Sequence, residues 1–356
     1  MKTQFLYNSK FGIFILAFTF FATAINAQTT VNNNPNTSAD FADLQAAIDA
    51  ATNGDIIYVQ QSPTSYGAIT INKELTIVGR SHSDSGYKSE IGTIFFDAGS
   101  SNTTIKGLKM NGIADAVSIM ATITNLTIFD NDIGGGINIG SSKTYDNILI
   151  QGNIIRSASW IRANTSNVLV NNNIFFSSQL NFYNTATLLF SNNIMAYWAG
   201  TSFTNNSTGL LNIDNCIFIN NTSQDRITNF NPLSGTIQVN NCITYNYGTG
   251  TFVFATGTGI TINANNQEGT DPLFTSVDPS SPESIASADN TSKFDAANDD
   301  LTLQGGSPVS DDGLFQGYNF KNFGTPTGIP SIKVDSYSST VPKNSNLTVT
   351  ITAKTN

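Results

Sequence analysis

One short phrase recurs along this chain. It reads DNILIQGNII at 146–155, SNVLVNNNIF at 166–175 and ATLLFSNNIM at 186–195, each an alternating apolar run followed by asparagine. Anchoring every copy on its second apolar residue gives Ile77, Ile105, Ile128, Ile150, Val170, Phe190, Ile213, Val239 and Ile262, at steps of 20–28 residues. Another apolar residue stands two positions earlier in most copies: Leu75, Leu126, Ile148, Val168, Leu188, Leu211, Ile237 and Ile260. Period-two alternation marks strands with one buried side, not helices. A unit of this length made of strand and turn cannot bury its apolar side alone. Wound as a coil, each copy covers the next, so the expected fold is an all-β solenoid, a parallel β-helix of about ten coils. Leucine-rich repeats share the period but need helix or Leu/Asn consensus positions absent here, and a propeller blade needs about 40 residues.

Three positions after the anchor come Asn131, Asn153, Asn173 and Asn193, then Cys216 and Cys242, then Asn265. Asparagine after a strand signals a tight turn, because it tolerates a left-handed backbone. Stacked at the strand spacing of about 4.8 Å, each amide can bond those above and below. A buried amide left unpaired costs about 1–3 kcal/mol, so such a ladder survives only if the copies stack. Cys216 and Cys242 replace asparagine on adjacent coils. Their expected Cα separation of about 4.8 Å lies in the disulfide range, while parallel Cβ vectors at that spacing are slightly too far apart. Stacked thiols are the favoured reading, with a bond left open in an oxidising compartment.

Residues 1–27 read as a secretory signal peptide: Lys2 and Lys10, an apolar run from Phe11 to Phe21, then small residues to Ala27. The run is too short to span a bilayer, no later segment is apolar enough to do so, and no cysteine follows the cleavage site to carry a lipid. The expected product is secreted or held at the cell surface, without membrane insertion, and a monomer. Without the leader, 14 basic residues face 25 acidic ones, which disfavours nucleic acid as a partner. A single histidine, His82, and two cysteines exclude most metal-cluster and histidine-relay chemistry.

The flanks fit a coil. Residues 28–54 form an N-terminal cap in which DFADLQAAIDAATNGD (40–55) opens on an acidic N-cap. It sets Phe41, Leu44 and Ile48 on one helix face and ends at Gly54. The β-helix occupies 55–320, closed by DPLF (271–274), LTL (301–303) and GGSPVSDDG (305–313). Residues 321–356 hold two strand-like runs, SIKVDS and LTVTITA, which form a hairpin packed on the coil or a small separate module.

The order of the amphipathic DFADLQAAIDAATNGDIIYV, INKELTIVGR, asparagine-rich coils, DPLF and GSP resembles secreted right-handed β-helix proteins of the pectate-lyase-like superfamily over residues 40–317. That resemblance implies a right-handed coil and little about activity, because the scaffold carries lyases, hydrolases, esterases and non-catalytic proteins. The paired aspartates and Gly-His-Gly of polygalacturonase-like hydrolases are missing. So is the esterase-like set of two aspartates and a glutamine. A lyase asks for a basic residue near the C5 proton and a neutralised uronate, often through Ca²⁺. The middle coils offer Lys143, Arg156, Arg162 and Arg226, with Asp130, Asp132, Asp146, Asp214 and Asp225. Ca²⁺ is thus the one cofactor the resemblance brings in; Asp130-Asn131-Asp132 and the acidic run 289–312 are better explained as turn and solvated loop.

RSASWIR (156–162) sets Arg156 and Arg162 about Trp160, with Tyr183 one coil and Tyr197-Trp198 two coils further. Rings stack on pyranose faces and guanidinium forks hold carboxylates, so this set suits a polysaccharide or cell-surface glycan. The competing reading aligns Trp160 with Leu180 and Arg162 with Phe182, making Trp160 core. Ice binding would need a regular outward Thr-x-Thr array, which is absent. Leu149, Leu169 and Leu189 alternate outward, one above another, and the C-terminal hairpin is the expected cover. The functional expectation is a non-catalytic glycan-binding or cell-surface protein. The alternatives are a calcium-assisted polysaccharide lyase and a structural or adhesive coat.

Overall fold

The structure is a computed structural model that describes residues 28–35, 37–82, 86–116, 121–141, 143–162, 167–176, 180–183, 187–196, 203–206, 208–280, 299–309, 313, 330–337 and 349–355. The alternating phrase builds one wall of a parallel β-solenoid. Eleven strands pair in chain order: Gln28–Val31, Asp55–Val59, Leu75–Gly79, Thr104–Lys106, Thr122–Phe129, Thr144–Gln151, Val168–Asn171, Leu188–Ser191, Leu210–Asp214, Thr236–Asn240 and Ile260–Ile262. Strand register joins Ile77, Ile105, Ile128, Ile150, Val170, Phe190, Ile213, Val239 and Ile262 into one column. All but the last are buried, so every anchor read from the sequence faces the interior. The coil makes about eight turns and not ten. Its end strands, under the cap helix and at Ile260–Ile262, close the solenoid instead of adding full turns.

The opposite wall forks. Lys109–Asp115 pairs through Lys109 and Met110 with Asp132–Ile133, and through Ile113 and Ala114 with Ile137–Ile139. Gly134-Gly135-Gly136 separates the two branches. A Cβ on Gly135 would collide with the Asn111 carbonyl and one on Gly136 with the Ala158 carbonyl, so backbone passes backbone here as only glycine allows. Beyond the fork a first arm runs through Ile154–Ile155, Ile174–Phe176, Ile194–Ala196, Ile217–Asn220, Ile243–Asn246 and Gln267–Glu268. A second arm runs through Ser159–Arg162, Leu180–Tyr183, Phe203–Asn205 and Phe230–Asn231. The interior between wall and arms fills with rings; Phe190 lies 5.4 Å from Phe175 and 5.0 Å from Phe203, centroid to centroid.

The ladder stands at the corner between the wall and the first arm. Asn131 Nδ2 and N–H both donate to Asn153 Oδ1 at 3.0 Å. Asn153 donates likewise to Asn173, and Asn173 to Asn193, with side-chain bonds of 3.0 Å. Then the chemistry changes: the Asn193 N–H points at Cys216 Sγ (3.5 Å) and the Cys216 N–H at Cys242 Sγ (3.3 Å). Both cysteines are free and buried. The last rung is Asn266, whose Oδ1 accepts from the Cys242 N–H at 2.8 Å. Asn265, expected there, instead reaches Asn241 on the exposed side, because the final turn is one residue longer. The left-handed backbone also lies one residue earlier than expected. Asp130, Asn172, Asn192, Asn215 and Asn241 have φ of 47–54°, and Gly152 takes 68°. The ladder residues are held by their amides and not by their φ. A second, exposed ladder crosses the same wall, where Asn147 donates to Asn125 (2.6 Å), Asn125 to Asn102 (2.7 Å) and Asn102 to Glu74 (3.2 Å).

The N-terminal helix spans Leu44–Ala50 and buries Leu44, Ala47 and Ile48. Its N-cap is Asp43, which accepts from the Ala46 N–H at 2.7 Å. Asp40, where the cap was expected, binds the Thr30 N–H and hydroxyl, tying the entering strand to the helix approach. Phe41 precedes the helix and bridges to Val31.

A second apolar cluster sits outside the coil. Ile154, Ile174, Ile194, Ile217 and Ile243 stack in register on the first arm, and Phe274, Leu301 and Val309 pack over that side. These closing residues include an antiparallel pair, Phe274–Ser276 with Asp300–Leu303. Leu149, Leu169 and Leu189 also stack in register, on the outward side of the wall; the first two are half-buried and Leu189 is 37% exposed. Pro330–Tyr337 and Val349–Thr355 form an antiparallel hairpin that pairs with no other strand among the described residues. No helix among the described residues is long and apolar enough to cross a membrane.

Candidate functional site

Whether Trp160 is core or surface turns on one residue. From Ile154 to Ile174 the coils are 20 apart, but Ser159 pairs with Leu180 and Trp160 with Asn181, because 177–179 is one residue longer than 157–158. The expected pairing of Trp160 with Leu180 and Arg162 with Phe182 is therefore off by one. Ile161 takes the inward position beside Phe182. Ser159, fully buried, holds the edge by accepting the Ile137 N–H at 3.0 Å. Trp160 is left half-buried on the outward side, stacked between Asn138 and Asn181. The column continues through Thr204 to Asn231.

Arg162 pairs with Tyr183 in the same register, and Tyr183 is half-buried. The Arg162 side chain, Tyr197 and Trp198 lie outside the described residues. The second arm thus brings Trp160 onto the outward side of one sheet, with Arg162 and Tyr183 paired in register two positions on. Half-buried Asn138 stands beside Trp160 in the same column, whereas Asn181 and Thr204 further along it are buried. Amides flanking an indole in a repeat look like turn residues until the register is known.

Arg156 belongs elsewhere. Its Nε donates to Asp132 Oδ1 at 2.7 Å and its Nη2 to Oδ2 at 3.0 Å, with Cζ 5.3 Å from the Phe176 ring centre. A fork already closed on a carboxylate, with 21% and 11% of the two side chains exposed, is bound as a structural pair on the first arm. Asp132 is spent in the same contact, and Asp130 and Asn131 belong to turn and ladder. Among the described residues no three His, Cys, Asp or Glu side chains converge as a metal site.

Two buried polar groups complete the chemistry of these coils. His82 is 1% exposed, with Nδ1 unbonded. Burial pulls its pKa down to about 4, with the Asp132 charge opposing and Arg156 and Lys88 assisting. It is a neutral imidazole at ordinary pH. Further along, Asp115 Oδ1 accepts from the Tyr145 hydroxyl at 2.6 Å and Oδ2 from Ser141 at 3.0 Å. Burial first, and then Asp115, push the Tyr145 hydroxyl well above the usual phenol range. Lys143, a basic residue a lyase could have used, is a fully buried side chain 3.4 Å from Asp97 and 3.1 Å from the Ala116 carbonyl. A base sealed inside the coil cannot meet a polymer.

The fold defines the class: a parallel β-solenoid, here with Trp160 on the outward side of one arm. Comparison with protein-family models, curated proteins and solved structures gives no match for this chain.

Proposed function

We propose that this protein is an exported β-solenoid that binds a polysaccharide or cell-surface glycan along the outward face of the second arm. The observation that supports the reading is the register setting Trp160 between Asn138 and Asn181 and Arg162 beside Tyr183. Ring faces offer apolar area to the C–H side of a pyranose, and the half-buried Asn138 amide suits a sugar hydroxyl. Strands 4.8 Å apart give a polymer a regular track. With Arg156 closed on Asp132, stacking carries more of the binding than charge.

A glycan array spanning neutral and acidic polysaccharides tests the reading. Binding is expected, and Trp160→Ala should weaken the best ligand about tenfold, or about 1.4 kcal/mol, without changing the melting temperature. No binding at any glycan would favour a structural or adhesive coat. A rise in ultraviolet absorbance when acidic polysaccharide is incubated with the protein and calcium would favour the lyase instead.

A further inference from the structure

We propose that the C-terminal hairpin folds back onto the wall and covers the column Leu149–Leu169–Leu189. This concerns a different face from the glycan site and does not depend on it. The column is an apolar stripe three coils tall, roughly 10 Å, bounded along the same register by Thr127 and Asn212. The comparable stripe on the first arm, Ile154 to Ile243, has its cover in Phe274, Leu301 and Val309. The leucines have none of these residues over them, and Leu189 remains exposed.

The hairpin has the matching deficit. Among the described residues Pro330–Tyr337 and Val349–Thr355 pair only with each other, and a two-stranded ribbon is marginal in water without a layer beneath it. Its register sets Ile332 opposite Ala353 and Val334 opposite Ile351, while Ser331 meets Lys354 and Lys333 meets Thr352. Apolar positions therefore share one register face and polar positions the other. Two strands lie roughly 5 Å apart, so the ribbon fits within the height of the leucine stripe.

Attachment decides where the ribbon can reach. The Gly313 N–H donates to the Asn215 carbonyl at 2.9 Å, and the Gly313 carbonyl accepts from Asn192 Nδ2 at 3.1 Å. Asn192 directly follows the strand Leu188–Ser191, which carries Leu189. Gly313 is thus held on the coil a few residues from the stripe. The 314–329 segment spans at most about 55 Å when extended, far more than the hairpin needs to arrive there. Covalent attachment makes the docking intramolecular, so modest contact area suffices.

Amide hydrogen exchange on the full chain tests the proposal. Amides of 330–337 and 349–355 should be protected, and Leu169→Asp should speed their exchange at least tenfold. Thr104→Asp, outward on the same wall but beyond the stripe, should leave them unchanged. Should Leu169→Asp unfold the coil, Val334→Asp decides: it should expose the hairpin amides and raise apolar-dye binding with the coil strands still protected. Hairpin amides exchanging at free-chain rates, or protection indifferent to both substitutions, would overturn the proposal. Protection that grows with protein concentration would also overturn it, by assigning the stripe to a second copy.

Discussion

The coils before and after about residue 157 are built on the same wall but held by different forces. All three ion pairs among the described residues lie in the earlier part: Lys109–Glu90, Lys143–Asp97 and Arg156–Asp132. Neutral His82 and the Tyr145–Asp115 bond lie there too. The later part holds a run of rings, from Phe175 and Phe182 through Phe190, Phe203, Phe218, Phe230 and Phe254, in successive contacts of 5.0–6.5 Å. The ladder crosses both parts and changes from amide to thiol only in the ring-rich one. A coil can thus be stacked either by satisfying buried polar groups or by filling its lumen with aromatic volume. Only the first way makes stability depend on protonation.

That contrast can be broken by experiment. Phe190→Ala, at the centre of the ring run, should lower unfolding free energy by about 4 kcal/mol in urea titration, with no dependence on pH between 4 and 7. Acid should act on the earlier part. His82 is depressed from 6.5 to about 4, so between those values the unfolded chain binds a proton that the folded chain does not. Stability is then full above pH 6.5 and declines as pH falls toward 4, by up to about 3 kcal/mol, and His82→Leu should flatten that slope. If the slope persists in His82→Leu, the division of forces is wrong. Tyr145→Phe should have the smallest effect, about 2 kcal/mol, because Asp115 keeps its bond from Ser141. Hydrogen exchange should place that loss in the earlier coils.

Much of this architecture was legible in the chain because period two and a repeat of 20–28 residues admit few solutions. The anchor column and the rungs Asn131 to Cys242 follow from spacing alone. What escaped are features decided by a single residue. One extra position in 177–179 turned Trp160 outward, and one in the last turn replaced Asn265 by Asn266. The isoleucine after each rung, Ile154, Ile174, Ile194, Ile217 and Ile243, reads like any core residue, although it faces a second cluster outside the coil. Hydrophobicity tells that a side is covered, not what covers it. Arg156 and Trp160 looked like one site because they are close in sequence, yet the bend at 157–158 assigns them to different arms.

The glycine triplet at 134–136 has a consequence for how such a chain can grow. Before it, a turn meets two walls; after it, as far as Phe230–Asn231, a turn must satisfy three at once. Copying or deleting one unit among the later turns preserves every seam, whereas moving a unit across the triplet would leave an arm with no strand to join. The joint thus divides the coil into a part whose seams repeat and a part whose seams do not.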